Sequence, residues 1–152
     1  MSKGEMSSDL VKKLRSAGIQ PSAQRLAVAQ YVLTTDAHPS ADEVLAQVHE
    51  GFPMLSRATV YNTLNLFVEK GLLRQLVLAE GRTVFDPKLE PHHHFIDDET
   101  GRIDDLEWSS VKVGDVKDLR NYEVREYMVV MRGRKLGGSR TQARTGAPAK
   151  KR

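Results

Sequence analysis

Apolar positions in the first part of the chain recur at helical spacing and are separated by capping and turn residues. Residues 9–17 place Leu10, Val11 and Leu14 on one helical face, and Gly18 follows as a stop. Three further helices are predicted, one opened by Pro21-Ser22, one by the capping box Ser40-Ala41-Asp42-Glu43, and one running from Ser56 to about Lys70.

The fourth predicted helix has two different faces. Its apolar stripe consists of Val60, Leu64, Phe67 and Val68. Its other side carries Arg57, Tyr61, Asn62 and Asn65. The side that carries Tyr61 is polar but nearly uncharged, which suits contact with base edges better than hydration alone. An ordinary amphipathic helix with a hydrated side would show the same pattern, so both interpretations stay open at this point.

A β-hairpin is predicted directly after the fourth helix. The segments LLRQLVLA and RTVFD are typical of two short strands around a tight turn at Glu80-Gly81. Helices followed by such a hairpin form a winged helix-turn-helix. In that fold the last helix enters the major groove and the hairpin lies against the DNA backbone.

The second half of the chain is predicted to be mainly β. Residues 102–106 form a short predicted strand, and residues 123–132, EVREYMVVMR, form a longer one with an apolar centre. The second half of the chain contains too few residues to bury both faces of the predicted sheet. A second subunit is therefore expected to cover the exposed face.

Charge is distributed unevenly along the 152 residues, although the net charge is only +3. Residues 1–82 hold nine basic and eight acidic side chains, whereas residues 83–131 hold six and twelve. Residues 132–152 hold eight basic side chains and no acidic one. The middle segment is thus suited to cations, and the end of the chain is a basic tail that serves solubility or nonspecific contact with nucleic acid.

Composition excludes several classes of protein. The chain contains no cysteine, which rules out disulfides, thiolate zinc sites and cysteine nucleophiles. It has no apolar run near the ~18 residues needed to span a membrane, and its N-terminal segment lacks the apolar region of a signal peptide. A cytoplasmic protein without a membrane partner is expected.

Three consecutive histidines, His92, His93 and His94, stand between acidic residues in the second half. In a strand, His92 and His94 would point to one face and His93 to the other. A turn over residues 97–101 would return the chain alongside and bring Asp104 or Asp105 next to them. Imidazoles and carboxylates without thiolates suit Fe(II), Mn(II) or Zn(II). A solvated, charged hairpin is the alternative.

Over roughly residues 9–135 the chain resembles the ferric uptake regulator superfamily of bacterial metal-dependent repressors. The resemblance is carried jointly by GIQPSAQR, HPSADE, FPMLSRATVYNTLNLF, EKGLLRQL and the PHHHF hairpin with its following acids. It implies an α+β fold with a winged helix-turn-helix domain over residues 1–86 and a small α/β dimerisation and metal-sensing domain over residues 87–135. Residues 136–152 are expected to form a disordered basic tail.

The resemblance also implies a regulatory metal held between the two domains. Carried over by position, its ligands would be His38, Asp86, His92, His94 and Asp105. Their spacing is similar to the peroxide-sensing branch, which implies a repressor with Fe(II) or Mn(II) at this site. Zn(II) is an alternative ion in the purified protein. With Fe(II) bound, oxidation by peroxide is expected at His38 or His92.

Two departures from the family pattern change these expectations. Many members hold a structural zinc with two Cys-x-x-Cys pairs, but Asp97 and Thr100 occupy the first pair here, so no four-cysteine zinc is expected. Dimerisation would then depend on strand pairing and on apolar packing by Val124, Tyr127 and Val129. The histidine triplet also resembles the haem-responsive iron response regulator branch, in which His93 would be a second metal or haem ligand.

Double-stranded DNA with a palindromic operator, bound by a homodimer, is the partner that the resemblance implies. Base-edge contacts are expected from Tyr61 and Asn62. Sugar and phosphate contacts are expected from Arg25, Arg57 and Thr59, and weaker backbone contacts from Lys12, Lys13 and Arg15.

Two functions of other classes compete with a regulator. Two histidines and a carboxylate can form the facial triad of a small non-haem iron enzyme, although five candidate ligands leave little room for a substrate. A metal-storing dimer that does not bind DNA is the other. The helical first half favours the regulator, and no enzymatic activity is expected.

Overall fold

The computed structural model describes residues 3–78 and 81–136. Four α-helices come first: α1 (Lys3–Ser16), α2 (Ala23–Val32), α3 (Ala41–His49) and α4 (Arg57–Glu69). Five strands follow: β1 (Arg74–Val77), β2 (Thr83–Asp86), β3 (His92–Asp97), β4 (Ile103–Glu107) and β5 (Val130–Gly133). The disordered tail was predicted over residues 136–152, and residues 137–152 lie outside the described residues. Within the described ranges, no helix is long and apolar enough to cross a lipid bilayer.

The helix starts are held by the predicted capping side chains. Ser22 and Ser56 each accept a hydrogen bond from the backbone N–H three residues later, at 3.2 Å and 3.1 Å. At α3 the capping box is complete, because the Ser40 hydroxyl accepts from the Glu43 N–H and the Glu43 carboxylate accepts from the Ser40 N–H at 2.7 Å. The predicted starts of α2, α3 and α4 are therefore confirmed.

Helix α1 begins earlier than the predicted residue 9, at Lys3. From Ser7 to the end of this helix the buried residues are Leu10 and Leu14. Residues 3–9 contain only one apolar side chain other than glycine, so apolar periodicity indicates only the later part of the helix.

The helices and the beginning of the hairpin enclose the main core. Its fully buried members include Leu14, Val28, Val44, Leu64 and Phe67. Phe67 and Leu64 belong to the predicted apolar stripe of α4, which leaves the opposite side with Tyr61 exposed. The stripe is thus confirmed, and its burial fixes which side of α4 faces solvent.

Two separate sheets complete the α+β fold. Strands β1 and β2 form the antiparallel hairpin of the winged helix, with Arg74 opposite Asp86. The second sheet has the order β4-β3-β5, in which β3 is antiparallel to β4 and parallel to β5. Between β3 and β4 the chain turns at Gly101, whose N–H donates to the Asp97 carbonyl at 2.7 Å. The helical content of the described second half consists of two short 3-10 turns.

The last strand is shorter than predicted. Of residues 123–132, only those from Val130 onward belong to β5. The regular ladder with β3 starts at His94 opposite Val130, and the preceding N–H, that of Val129, donates to the side chain of His93 instead of a backbone carbonyl. The regular strand is therefore shorter than the apolar run, because the backbone ladder between β5 and β3 is interrupted at Val129.

A second apolar cluster joins the two sheets. Leu76, Leu78 and Val84 from the hairpin pack against Ile96 and Ile103 from the second sheet, and all five are buried. This cluster holds the hairpin and the second sheet in contact. The domain boundary predicted after Asp86 stays a prediction.

Candidate metal centre

Five side chains from four parts of the chain converge between the hairpin and the second sheet. Their potential ligand atoms all lie within 4.8 Å of one another, and the residues are His38, Asp86, His92, His94 and Asp105. We refer to this group as the five-residue cluster. It is the set that the family resemblance implied, and the role of its members as metal ligands stays a prediction.

Strand geometry places three of these residues. His92 and His94 lie two residues apart on β3 and therefore share one face, as predicted. On β4, Asp105 is paired directly with His94. The neighbouring Asp104 points away and forms an ion pair with Lys135 at 2.9 Å, which decides between the two aspartates that the sequence left open.

His38 and Asp86 reach the cluster through a contact between a loop and the hairpin. His38 lies between α2 and α3 with a positive φ of 51°, and the carbonyl of the next residue, Pro39, accepts a hydrogen bond from the Phe85 N–H at 2.9 Å. This bond places the loop beside the end of β2. His38 Nε2 consequently lies 3.5 Å from Asp86 Oδ2 and 2.8 Å from Asp105 Oδ1.

The cluster is buried except at Asp105. The three histidines and Asp86 are at most 4% exposed, whereas the Asp105 side chain is 26% exposed. Asp86 contributes one oxygen, because its Oδ1 accepts from the Lys88 N–H at 2.8 Å and its Oδ2 faces the imidazoles. Asp105, on β4, is therefore the member of the cluster that is most exposed to solvent.

The orientation of His92 favours a cation at the centre of the cluster. His92 Nδ1 lies 2.7 Å from the Glu90 carbonyl, which can only accept, so this nitrogen carries the proton. In the neutral ring Nε2 then presents a lone pair towards Asp86 Oδ2 at 2.9 Å and His94 Nε2 at 3.0 Å. When one nitrogen of an imidazole binds a metal, the other nitrogen of the same ring usually donates a hydrogen bond to a group such as a backbone carbonyl.

Hydrogen bonding within the cluster is incomplete. In the described part of the chain neither buried ring nitrogen of His38 makes a hydrogen bond of acceptable geometry, although Nε2 lies 2.8 Å from Asp105 Oδ1. Buried polar atoms normally have partners, and leaving one unpaired costs about 1–3 kcal/mol. A divalent cation coordinated by Nε2 would satisfy this nitrogen, so the residues present fit a metal with nitrogen and oxygen ligands.

Charges within the cluster shift two protonation equilibria. Burial lowers the pKa of His38, but the adjacent carboxylates of Asp86 and Asp105 outweigh burial and raise it. Burial raises the pKa of Asp86, but the adjacent imidazoles of His38 and His94 and the hydrogen bond from the Lys88 N–H hold the pKa of Asp86 well below its usual range. Asp86 is therefore ionised at neutral pH and attracts positive charge to the centre.

The third histidine lies apart from the cluster. His93 points to the other face of β3, is fully buried, and stacks on Trp108 with ring centroids 4.5 Å apart. Among the described residues, no group of three or more potential metal ligands surrounds it. A role for His93 as a second metal or haem ligand stays a prediction. Sequence reasoning missed Trp108 and the Glu90 carbonyl, for which the sequence offers no pattern.

The predicted DNA-contacting residues lie on the exposed side of α4 and beside it. Arg25, Thr59 and Asn62 line one concave surface between the α1–α2 connection and α4. Next to it, the Arg57 guanidinium lies 5.4 Å from the centre of the Tyr61 ring and 3.0 Å from an Asp42 oxygen. The hydrogen bond to Tyr61 and the charge of Asp42 raise the pKa of Arg57. The pairing with Asp42 was not predicted, and the DNA contacts stay a prediction.

The sequence matches one protein family and the repressors that belong to it. The model of the "Ferric uptake regulator family" matches residues 16–132. The peroxide-responsive repressor PerR of Staphylococcus aureus is 34% identical over 98 residues, which are 64% of this chain and 66% of that repressor. The match thus spans just under two thirds of that relative's length.

Solved structures share the fold. The crystal structure of the Campylobacter jejuni peroxide stress regulator is 27% identical, with a TM-score of 0.61 over 89% of this chain and 97% of that one. The Pseudomonas aeruginosa ferric uptake regulator, solved with manganese, has a TM-score of 0.63 at 24% identity, over 82% and 96% of the two chains. The described architecture is that of winged-helix proteins with an added small sheet domain. Because the family match covers most of its length, the chain belongs to the ferric uptake regulator family.

Proposed function

We propose that the protein is a metal-dependent DNA-binding repressor that senses peroxide, with Fe(II) or Mn(II) held by the five-residue cluster. The observation that carries this proposal is the convergence of three imidazoles and two carboxylates at one buried point. The similarity to a repressor and a regulator named for their response to peroxide supports the choice of signal. Those relatives are named as regulators, which agrees with a protein that is not an enzyme.

The position of the cluster explains how metal binding would change DNA affinity. His38 and Asp86 belong to the helical half and the end of its hairpin, whereas His92, His94 and Asp105 belong to the second sheet. Coordination by all five would fix the hairpin half against the sheet. In a homodimer this sets the distance between the two α4 helices, which a palindromic operator requires. A metal affinity ~10⁴-fold higher in the fixed form would switch almost the whole population.

Peroxide sensing would follow from the choice of metal. Bound Fe(II) would supply the electrons that reduce peroxide and produce an oxidant next to the ligands. The chain has no cysteine, so the groups closest to that oxidant are imidazoles, and we propose His38 or His92 as the residue that gains oxygen. A modified imidazole binds metal less well, and the five-residue cluster would no longer hold the two halves together. Mn(II) in the same position would retain DNA binding without this chemistry.

Operator affinity, measured by fluorescence anisotropy on DNA selected from a random pool, tests the proposal. Chelator-stripped protein is expected to bind weakly, and added Mn(II) is expected to tighten binding at least about 100-fold. Asp105→Asn should abolish most of this gain. The matched control Asp104→Asn should retain it, because Asp104 pairs with Lys135 outside the cluster. Equal operator binding with and without Mn(II) would refute the mechanism.

Oxidation can be examined separately by mass spectrometry after anaerobic Fe(II) loading and peroxide treatment. We expect an added oxygen on the peptide that contains His38 or His92, and none in protein loaded with Mn(II). Loss of DNA binding without any oxygen on these peptides would mean that the signal acts elsewhere.

Tyr61 offers a test of the DNA-binding face that leaves the metal aside. The ring is 37% exposed on α4, and its hydroxyl accepts a hydrogen bond from Arg57, which is not a member of the five-residue cluster. Tyr61→Ala is expected to lower operator affinity by about tenfold or more, a loss of ~1.4 kcal/mol or more. Mn(II) affinity should not change. An equal loss of both would show that Tyr61 supports the fold.

A haem-responsive regulator is the second candidate, and the observation in its favour is that Nε2 of His93 has no hydrogen-bond partner among the described residues. Against it, His93 is fully buried beneath Trp108, so that an iron could reach it only after this packing opened. The same anisotropy assay separates the two candidates. A haem sensor would bind DNA without Mn(II) and lose affinity when haem is added.

A further inference from the structure

We infer that His93 is a positioning residue that couples the five-residue cluster to the chain segment that leads into β5. The inference rests on the proposed function, since it concerns what metal binding at the cluster does to the rest of the molecule. Its physical basis is that β3 carries two proposed ligands on one face and His93 on the other. The backbone that holds His92 and His94 therefore also holds His93.

The side chain of His93 is fixed by a hydrogen bond to distant backbone. Its Nδ1 accepts from the Val129 N–H at 3.1 Å, a contact across 36 residues of sequence. Because Nδ1 accepts, the proton of the neutral ring lies on Nε2, which has no partner in the described part of the structure. His93 is thus committed to Val129 and contributes no nitrogen to the five-residue cluster.

The next residue of β3 holds the other polar group of Val129. The His94 N–H donates to the Val129 carbonyl at 3.0 Å. Both backbone groups of Val129 are therefore bonded to consecutive residues of β3, one through a side chain and one through the main chain. Any displacement of β3 that accompanies coordination by His94 is transmitted to Val129 by two bonds.

Aromatic packing prevents the His93 ring from adjusting independently. The ring is fully buried and stacks on Trp108 at an interplanar angle of 23°, and Trp108 in turn packs on Tyr127 at 4.7 Å. Tyr127 and Val129 flank Met128, which is exposed, as is Val130. The segment that His93 holds thus carries apolar side chains suited to contact with a second copy of the chain.

These contacts predict that metal binding orders residues 127–130 and that His93 carries much of this effect. Hydrogen exchange measured by mass spectrometry on the full chain, with chelator and with Mn(II), tests this without any variant. Peptides that cover Val129 should exchange several-fold more slowly with Mn(II). Unchanged exchange there, alongside slower exchange in β3, would overturn the inference.

Two variants distinguish the effect of the hydrogen bond to Val129 from the effect of ring stacking on Trp108. His93→Phe keeps an aromatic ring against Trp108 but leaves the Val129 N–H without its acceptor. His93→Asn removes the stack but places an amide oxygen close to the position of Nδ1. We expect the Mn(II)-dependent protection of Val129 to fall about fivefold or more in His93→Phe and to be largely retained in His93→Asn. Mn(II) affinity should stay within about twofold in both, because neither variant changes a proposed ligand.

Other outcomes have definite meanings. Faster exchange at Val129 by the same factor with and without Mn(II) would make His93 purely structural and overturn the coupling. A large loss of Mn(II) affinity in both variants would place His93 among the ligands and also overturn it. Operator binding of the unchanged protein, with and without Mn(II), reports on the proposed function by itself, so failure of the coupling can be told from failure of metal regulation.

Discussion

Two contact regions between the hairpin half of the molecule and the second sheet differ in chemistry. The apolar interface packs Leu76, Leu78 and Val84 against Ile96 and Ile103. The polar interface is the five-residue cluster, in which lone pairs and two carboxylates converge. Burial of apolar side chains is favourable at any metal concentration. Convergence of carboxylates and imidazoles is favourable only when a cation or protons occupy the space between them.

Because of this difference, the apolar interface holds the two halves together, and the polar interface controls how they are arranged. The apolar interface keeps hairpin and sheet in contact with or without metal, so loss of metal is expected to loosen the arrangement without releasing it. Control then depends on the polar interface, whose contribution varies with metal, pH and oxidation. Such a division suits a regulator, because the protein stays folded while its DNA affinity changes.

Removing part of the apolar interface should have the largest effect. Ile103 is 4% exposed, and Ile103→Ala is expected to lower the free energy of unfolding by about 2–5 kcal/mol through lost burial and a new cavity. Denaturation in urea measures this. The loss should be the same with chelator and with Mn(II), because Ile103 is not one of the proposed ligands.

A control position lies on β1, in the other sheet. Val77 is 71% exposed, so Val77→Ala should change stability by no more than about 0.5 kcal/mol. If Ile103→Ala were costly only in the presence of Mn(II), the two interfaces would not be independent and the comparison would fail.

The polar interface should contribute to stability only when metal is bound. At a Mn(II) concentration 100 times the dissociation constant, binding to the folded state alone raises the free energy of unfolding by about 2.7 kcal/mol. His94→Gln should remove most of this increment, whereas Ile103→Ala should retain it. Calorimetry measures the Mn(II) affinity and urea denaturation measures the free energy of unfolding of the same samples, so that the two can be compared. An increment that persists in His94→Gln would show that Mn(II) stabilises the protein elsewhere.

The two interfaces should also differ in their response to pH. In metal-free protein the pKa of His38 is raised, so its stabilising contribution is present below the ordinary histidine value and is lost as pH rises through the raised value. The pKa of Asp86 is lowered, so its contribution is present above the ordinary aspartate value and is lost only in strong acid. Chelated protein should therefore lose stability from pH 6 to 8, measured by denaturation midpoints.

Metal affinity should change in the opposite direction over the same range. Imidazoles must be neutral to coordinate, so Mn(II) affinity is expected to rise by up to about tenfold per pH unit for each proton displaced. His38→Gln should abolish the pH-dependent loss of stability in chelated protein. A chelated protein whose stability rises between pH 6 and 8 would contradict the ion pair of His38 with Asp86 and Asp105.

Local sequence signals were sufficient for one part of the site and not for the other. The caps at Ser40 and Ser56, and the shared face of His92 and His94, follow from spacing alone because the period of a helix or strand is fixed. The choice of Asp105 over Asp104 required the register of β4, which the turn at Gly101 sets. His38 lies 48 residues before Asp86, and only the bond between Pro39 and Phe85 places it there. Resemblance to the family, not pattern, indicated His38.

Long-range packing explains the remaining differences. No local pattern shows that Leu76 of the hairpin packs in one cluster with Ile96 of the second sheet. In the same way, residues 123–129 have the composition of a strand, yet β5 begins only at Val130, since the side chain of His93 takes the N–H of Val129. Interfaces between elements are decided by three-dimensional complementarity, which a single sequence does not encode locally.

The smallest effect is expected at the ion pair that accompanies the apolar interface. Arg74 on β1 lies 3.5 Å from Glu126, whose side chain is 63% exposed, so solvent screens the pair. Arg74→Ala should lower the free energy of unfolding by about 0.5 kcal/mol, and the loss should shrink at high salt. Mn(II) affinity should be unchanged, since neither residue belongs to the five-residue cluster.

Glu126→Gln is the control, because it removes the charge and keeps the size of the side chain. If either variant cost as much as Ile103→Ala, the hairpin and sheet would be joined mainly by charge, and the contrast between an unconditional apolar interface and a conditional polar one would not hold.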